Sequence, residues 1–373
     1  MHDLQAVLDY HARMLRAQRR VERFEQAIAD TVRPGDVVVD LGCGTGILSV
    51  LCCRAGARRV YAIEVGPIGR WTEQVIAANG FSGRVEVLHG LSTELSLPEK
   101  ADVIVSETIG SAAYDEGIVG FIADARRRFL KPGGALVPRQ VTLWAAPVGD
   151  TSLHHRLVGA WRERVCGVDV SPLHAIAVRQ LHWASLVPEQ LCAPPQPLIT
   201  FDLGRADELF VAGSAVFSLA SAGPVVGFAV GFDAQLADGV SLSNRPPAEI
   251  GHWSPGFLPL EAPLAGQIGE SVRVEIGTRD GQIWRWRGRV GEHPFDLDNL
   301  AGRAPSVAEL QGDQRRPMLG PHGRAIAGAL PLIDGQRTVG EIAALLSQSP
   351  ATSLPTVAAT RAFVERLARQ LEQ

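Results

Sequence analysis

Glu107 and Glu116 lie nine positions apart in the segment SETIGSAAYDE, residues 106 to 116. Two carboxylates on one loop form a socket for a planar cation with parallel N–H donors, and the guanidinium is the commonest such group in proteins. A guanidinium is protonated at any physiological pH and its lone pairs are delocalised, so it is a poor nucleophile. Paired anions would bias its charge toward two nitrogens and leave the third aimed at an electrophile. They would also offset the repulsion between that cation and a cationic group donor. Holding the reactants in line is a proximity effect that supplies about 7 to 11 kcal/mol of a barrier.

The segment VVVDLGCGTG, residues 37 to 46, supplies a site for such a donor. Gly42, Gly44 and Gly46 let the backbone approach a ligand closely and lead into a helix N-terminus. The position where a dinucleotide fingerprint needs its third glycine holds Ile47. Asp40, Glu64 and Glu107 fall at the carboxyl ends of predicted strands, where ligands of open α/β sheets bind. Glu64, closing VYAIE, can accept both hydroxyls of a ribose. Glycine loop, strand order and acidic partner together favour S-adenosylmethionine over NAD. Asp40 has a helix N-cap as its alternative role. Ser92 and Thr93 are candidates for the adenine edge, with turn capping as theirs.

The elements that position these residues read as follows. Leu4, Leu8, Met14, Leu15, Val21, Phe24 and Ile28 recur at helical spacing, which predicts an amphipathic helix or helix pair ending before Pro34-Gly35. Strands then follow near 36–40, 59–63, 85–88 and 102–106, with helices near 46–55 and 68–78 and glycine C-caps at Gly56 and Gly80. That alternation predicts a doubly wound parallel α/β sheet. A third helix near 116–130, begun by Glu116, stops at Lys131-Pro132-Gly133-Gly134, and short strands run to about Pro147. Residues 151 to 175 read as helical. Residues 195 to 292 alternate apolar and polar, with turns at Asp238-Gly239 and Asp280-Gly281, and predict an antiparallel barrel or sandwich. Helical segments near 322–332, 338–347 and 356–371 close the chain.

The chain has 373 residues, enough for two or three cores. A net charge of −4 and no long basic run argue against a phosphate-tracking nucleic-acid binder. Cys43, Cys52, Cys53, Cys166 and Cys192 form no CxxC pair and no ligand pattern with histidine, so neither a disulfide framework nor a metal site is expected. A cytoplasmic protein without signal peptide or membrane span is the simple reading.

Several motifs together resemble the protein arginine methyltransferases. They are H-x-x-M-L-x-x-x-x-R (His11, Met14, Leu15, Arg20), the VVVDLGCGTGILS loop, SE-x-x-G-x-x-x-x-x-E, and Gly251-His252-Trp253. WRERVCGVDVS, residues 161 to 171, and LVPEQL, residues 186 to 191, resemble the stretch around that family's dimerisation arm. The resemblance spans residues 10 to 290. It implies N-terminal helices (1–33), a Rossmann-like S-adenosylmethionine-binding domain (34–148) and a β-barrel domain with a helical arm near 161–185 (149–297). It also implies roles: Arg20 on the donor's carboxylate, Glu64 on the ribose, and Glu107 and Glu116 on the guanidinium. His252 and Trp253 would stand beside them, Met14 would line the acceptor pocket, and two chains would form a homodimer. The product of the donor would be S-adenosylhomocysteine.

The chain departs from that pattern in places. Ala17 replaces the Asp that partners the histidine, Gln5 and Met1 stand where aromatics are expected, and Thr108-Ile109 replace Trp-Met. Asp115 replaces Tyr and Gly251 replaces Thr. Fewer aromatics imply a wider or differently shaped acceptor pocket. The expected acceptor is peptidyl or free arginine, and the altered aromatics favour the alternative, another amine, a hydroxyl or a heterocycle. Residues 298 to 373 lie outside the resemblance and form a small helical or winged-helix module. ALPLIDGQRTVGEIAALL, residues 329 to 346, is similar to modules that hold leader peptides, against a plain packing role for the same apolar stripe.

Overall fold

The computed structural model describes residues 4–207, 210–247, 253–279, 281, 283–300, 321–347, 360–361, 363–365 and 367–368. Two helices open the chain, α1 Leu4–Arg16 and α2 Gln18–Thr31. A five-stranded parallel sheet follows, built from β1 Val37–Leu41, β2 Arg59–Glu64, β3 Val85–His89, β4 Ala101–Ser106 and β5 Leu130–Val137 in the order β3-β2-β1-β4-β5. Every residue of β1 is buried, the mark of a central parallel strand covered on both faces. Helices α3 Ile47–Ala55, α4 Gly69–Ala78 and α5 Ile118–Phe129 cross over between the strands.

This order decides what meets at the sheet's edge. Strands β2, β1 and β4 are neighbours, so their carboxyl ends place Glu64, the glycine loop and Glu107 side by side. The strand order reverses at β1, and the crevice there is the ligand site that the topology dictates.

Antiparallel strands then build the barrel and one small separate hairpin. They are β6 Gln140–Val148, β7 Arg164–Val165, β8 Val168–Asp169, β9 His182–Trp183, β10 Gln196–Asp202, β11 Phe210–Ser218, β12 Gly223–Ala237 and β13 Val240–Ser243. After them come β14 Gly256–Gly266, β15 Ser271–Arg279, β16 Ile283–Val290 and β17 His293–Asp298. One sheet runs β10-β6-β12-β14-β9 with β13 on β12, and another runs β11-β15-β16-β17. The Asp238-Gly239 turn joins β12 to β13 as its sequence predicts, with Ala237 opposite Val240. One continuous core runs from Phe24 and Ile28 of α2 through Val37–Val39 to Phe228, Phe232, Trp284 and Trp286 of the barrel.

The stretch 151–175 is not one helix. It holds α6 Thr151–Leu157, a 3-10 turn at Gly159–Arg162 and the two-residue hairpin β7–β8 before α7 His174–Ala177. Cys166 and Gly167 take left-handed backbone angles at the hairpin tip, which no helix tolerates. A separate C-terminal unit, residues 305 to 373, contains α8 Pro321–Ala329, a 3-10 turn at Leu330–Leu332 and α9 Val339–Ser347. Its small core packs Ala325, Ala329, Ile342 and Leu346 against Phe363 and Val364.

Candidate active site

A cleft of about 290 Å³ opens over the carboxyl ends of β1, β2 and β4. Its walls include Met14 and Arg20 from the N-terminal helices, Gly42 and Gly44 from the glycine loop, and Glu64, Ser92, Glu107 and Glu116. The sequence pattern therefore brought most of its candidates to one place.

The glycines act through backbone shape. Gly42 and Gly44 have φ of +74° and +54°, and a Cβ on Gly42 would stand 2.8 Å from Thr108 Cγ2. Gly46 lies behind the cleft as the N-cap of α3, where a Cβ would meet Thr72 and Ile76. Glu64 accepts from the Gly44 amide at 2.8 Å through Oε2 and from the Gly66 amide at 2.5 Å through Oε1. Each oxygen keeps a second lone pair, so two ligand hydroxyls still have acceptors.

Asp40 is placed differently from its expected ligand role. It is fully buried beneath the loop and accepts from Ser49 Oγ at 2.6 Å, so it braces α3 against β1. Burial pushes its carboxyl up to about 7, with the Ser49 bond opposing. Thr93 is exposed outside the cleft, while the buried Ser92 lines it.

Arg20 sits on the buried stripe of α2 with Phe24, Ala27 and Ile28, at helical spacing, whereas Arg16, Arg19 and Arg23 face outward. Its position four residues before Phe24 is the sequence signal that separates it from its neighbours. It is 4 % exposed and forms a buried ion pair through Nη1 with Oε2 of Glu107, which is 8 % exposed. Its Nη2 donates to the Met14 carbonyl at 3.3 Å, and its Nε is buried without a partner among the described residues. The guanidinium also lies 6.0 Å from the ring centroid of Trp253. Trp253 is buried edge-on against Phe232 and does not line the cleft, contrary to its expected substrate contact.

The two glutamates face the same cleft from different surroundings. Burial pushes the Glu107 carboxyl up to about 8, Arg20 pulls it down and Glu116 adds to the rise. Glu116 keeps solvent access at the cleft mouth, yet protein crowds it on several sides. Burial and then the neighbouring Asp115 push its carboxyl up to about 7, against a hydrogen bond from Tyr10 and the charge of Arg20. It does not begin a helix: Gly117, in the left-handed region, is the N-cap of α5.

Tyr10 was not among the sequence candidates. Its hydroxyl donates to Glu116 Oε1 at 3.3 Å, and burial and Glu116 raise its own pKa. The resemblance implies aromatics where this chain has Gln5 and Met1; here a tyrosine directly before His11 reaches the glutamate. His11 lines the cleft beside it, its pKa lowered by burial. The predicted His252, with Gly251, lies outside the described residues.

Comparison with known proteins bears on this arrangement. Residues 24–137 match the family model for ribosomal protein L11 methyltransferase, and residues 139–291 match that for the arginine methyltransferase oligomerization subdomain. Protein arginine N-methyltransferase 6 of Xenopus laevis is 33 % identical over 285 residues, 69 % of this chain and 81 % of that protein. The chain belongs to the protein arginine methyltransferase family. A probable protein arginine N-methyltransferase 6 of Arabidopsis thaliana is 40 % identical over 169 residues, 45 % of this chain and 39 % of that longer protein. Among solved structures, the Trypanosoma brucei PRMT1 enzyme–prozyme heterotetrameric complex with AdoHcy aligns with a TM-score of 0.71 at 24 % identity, over 77 % of this chain and 96 % of that one. An open conformation of Arabidopsis thaliana protein arginine methyltransferase 10 gives 0.66 at 23 %, over 78 % and 97 %. The fold of this arginine methyltransferase family member is thus a Rossmann-like domain followed by a barrel, as the alternation of residues predicts.

Proposed function

We propose that this protein is an S-adenosylmethionine-dependent N-methyltransferase that modifies the guanidino group of arginine, with Glu107 and Glu116 as the cation clamp. The observation that carries the reading is the meeting of both carboxylates with the glycine loop and Glu64 in one cleft. Residues 34–148 hold the donor and residues 149–297 close the acceptor side.

The donor fits the residues present. The Nε of the buried Arg20, without a partner among the described residues, suits a ligand carboxylate, Glu64 suits a ribose, and the two positive-φ glycines leave room at the loop. When bound, S-adenosylmethionine supplies an electrophilic methyl group and leaves as S-adenosylhomocysteine. This chain's residues do the rest. Glu107 and Glu116 fix two guanidinium nitrogens and draw positive charge onto them, which frees the third nitrogen's lone pair. For Glu107 to serve, Arg20 must turn from it toward the donor. With Ala17 in place of a relay aspartate, the proton leaves to water or to Glu116.

Thr108, lining the cleft where the family resemblance leads one to expect tryptophan, favours a second reading with another amine, a hydroxyl or a heterocycle as acceptor. A screen of arginine peptides, free arginine and arginine-free compounds with labelled donor separates the two. Methyl groups mapped only to guanidino nitrogens support the first, and methylation of arginine-free compounds alone overturns it.

The arm supports a homodimer. Trp161, Val165, Val168, Leu173 and Ile176 are exposed on 159–177, an apolar surface that a second copy would cover. Deleting residues 161–177 should halve the mass in solution; an unchanged mass overturns the dimer. For residues 298–373, peptide docking is the functional proposal, tested by whether their removal weakens a peptide acceptor but not free arginine.

A further inference from the structure

The clamp loop between β4 and α5 carries both glutamates, and they are fixed from opposite sides. Glu107 adjoins Ser106, whose Oγ donates to the Leu41 carbonyl at 2.9 Å, and it pairs with Arg20. Both anchors belong to the donor side. Glu116 has neither anchor. It follows the bend 111–115, in which Asp115 accepts from the Ala112 amide at 2.7 Å and the Ser111 amide at 3.2 Å.

The barrel grips that bend at both ends. Asn244, just past β13, is fully buried, and both ends of its amide are used. Oδ1 accepts from the Phe232 amide of β12 at 2.7 Å, and Nδ2 donates to the Ser111 carbonyl at 2.7 Å. The Asn244 amide in turn donates to the Phe232 carbonyl at 3.2 Å. Neighbours hold it in place: Arg245 Nε lies 3.0 Å from both oxygens of Asp233, and Ser243 Oγ donates to Asp233 at 2.7 Å. At the other end Gly281 approaches so closely that a Cβ would collide with the Tyr114 carbonyl and Asp115 Cα. Trp284 Nε1 donates to the Gly281 carbonyl at 2.8 Å and fixes that turn.

We infer that Asn244 is a positioning residue for the acceptor clamp: through Ser111 and Asp115 it sets where Glu116 stands relative to Glu107. Gly281 is its counterpart at the far end of the bend. This inference rests on the clamp reading given above. The side-chain hydrogen-bond partners of Asn244, Phe232 and Ser111, are not among the residues that line the cleft, so its loss should separate the two halves of the reaction. A displacement of about 1 Å in a reacting geometry costs on the order of 100-fold in rate.

The test compares Asn244→Ala, Gly281→Ala and Glu116→Gln with the parent, all as full-length protein. Calorimetry with S-adenosylhomocysteine reads the donor half, and steady-state kinetics with an arginine peptide read the acceptor half. Expected for Asn244→Ala and Gly281→Ala are donor affinity within about twofold of the parent and kcat lower by about 10- to 100-fold. Where alanine at 244 lowers the yield of folded protein, Asn244→Ser keeps a polar group against Phe232 and serves the same comparison. Unchanged kcat, or a loss of donor affinity in step with kcat, overturns the positioning role. If Glu116→Gln retains full activity, the clamp reading itself fails; if it is inactive while Asn244→Ala is not, only the role of Asn244 fails.

Discussion

Lowering the pH from 8.5 to 6.5 should cut kcat/KM by about 100-fold, because two raised carboxyls must both be ionised to grip a guanidinium. The values come from the cleft: Glu116 is pushed up to about 7 and Glu107 to about 8. Both lie above the ordinary 4.5, so the sign is that activity is present above these values and lost as they are crossed downward. With both required, the competent fraction falls from roughly three quarters at pH 8.5 to under about 1 % at pH 6.5. If only Glu116 titrated, the loss over the same span would be about fourfold. The acceptor guanidinium stays protonated throughout and adds no inflection. Initial rates with labelled donor, taken with both substrates well below saturation, report the free enzyme. A flat profile between pH 6 and 9 would refute the two-carboxylate requirement, and a fourfold change would reduce it to one residue.

Three further outcomes follow from the same geometry. Above about pH 8, where Glu107 is ionised, Glu107→Gln leaves the buried Arg20 without its counter-charge, which costs about 3–5 kcal/mol, so Tm at that pH should fall in the unliganded protein and recover in part with S-adenosylhomocysteine; an unchanged Tm there contradicts the buried pair. Gly42→Ala adds a Cβ at positive φ, 2.8 Å from Thr108 Cγ2, and should weaken S-adenosylhomocysteine binding by at least about tenfold in calorimetry, with retained affinity speaking against a close approach of loop and donor. Tyr10→Phe removes the hydroxyl that Glu116 Oε1 accepts, so kcat should fall by about 3- to 10-fold and the lower inflection of the pH profile should move upward; a parent-like rate would make the contact incidental.

Much of this molecule was legible because its signals are local. The all-buried β1, the glycines leading into α3 and the acidic end of β2 each occupy a few consecutive residues, and topology then brings β4 and its glutamate alongside. Signals that failed were those whose meaning depends on a distant partner or on which side of an element faces inward. Asp40 precedes the glycine loop as a ligand residue would, but its side chain points under the loop to Ser49. Residues 151–175 carry apolar side chains at helix-like spacing, yet left-handed angles at Cys166 and Gly167 turn the chain into a hairpin that leaves Val165 and Val168 exposed. Trp253 adjoins the candidate His252 in sequence but packs on Phe232 behind Arg20. The partner of Arg20 lies 87 positions away and that of Asn244 lies 133 away, beyond the reach of any periodicity. Tyr10 could have been found: it is next to a motif histidine, and its hydroxyl can donate to a carboxylate at the cleft.

The most direct test of the twin-carboxylate clamp is calorimetric titration of an arginine peptide into the protein saturated with S-adenosylhomocysteine, comparing the parent with Glu116→Gln. Glu116 lies outside the Arg20–Glu107 pair, so this substitution leaves that buried pair intact. The account predicts that the peptide binds the parent at least about tenfold more tightly, a difference of about 1.4 kcal/mol or more. Equal affinity for the two proteins would contradict it.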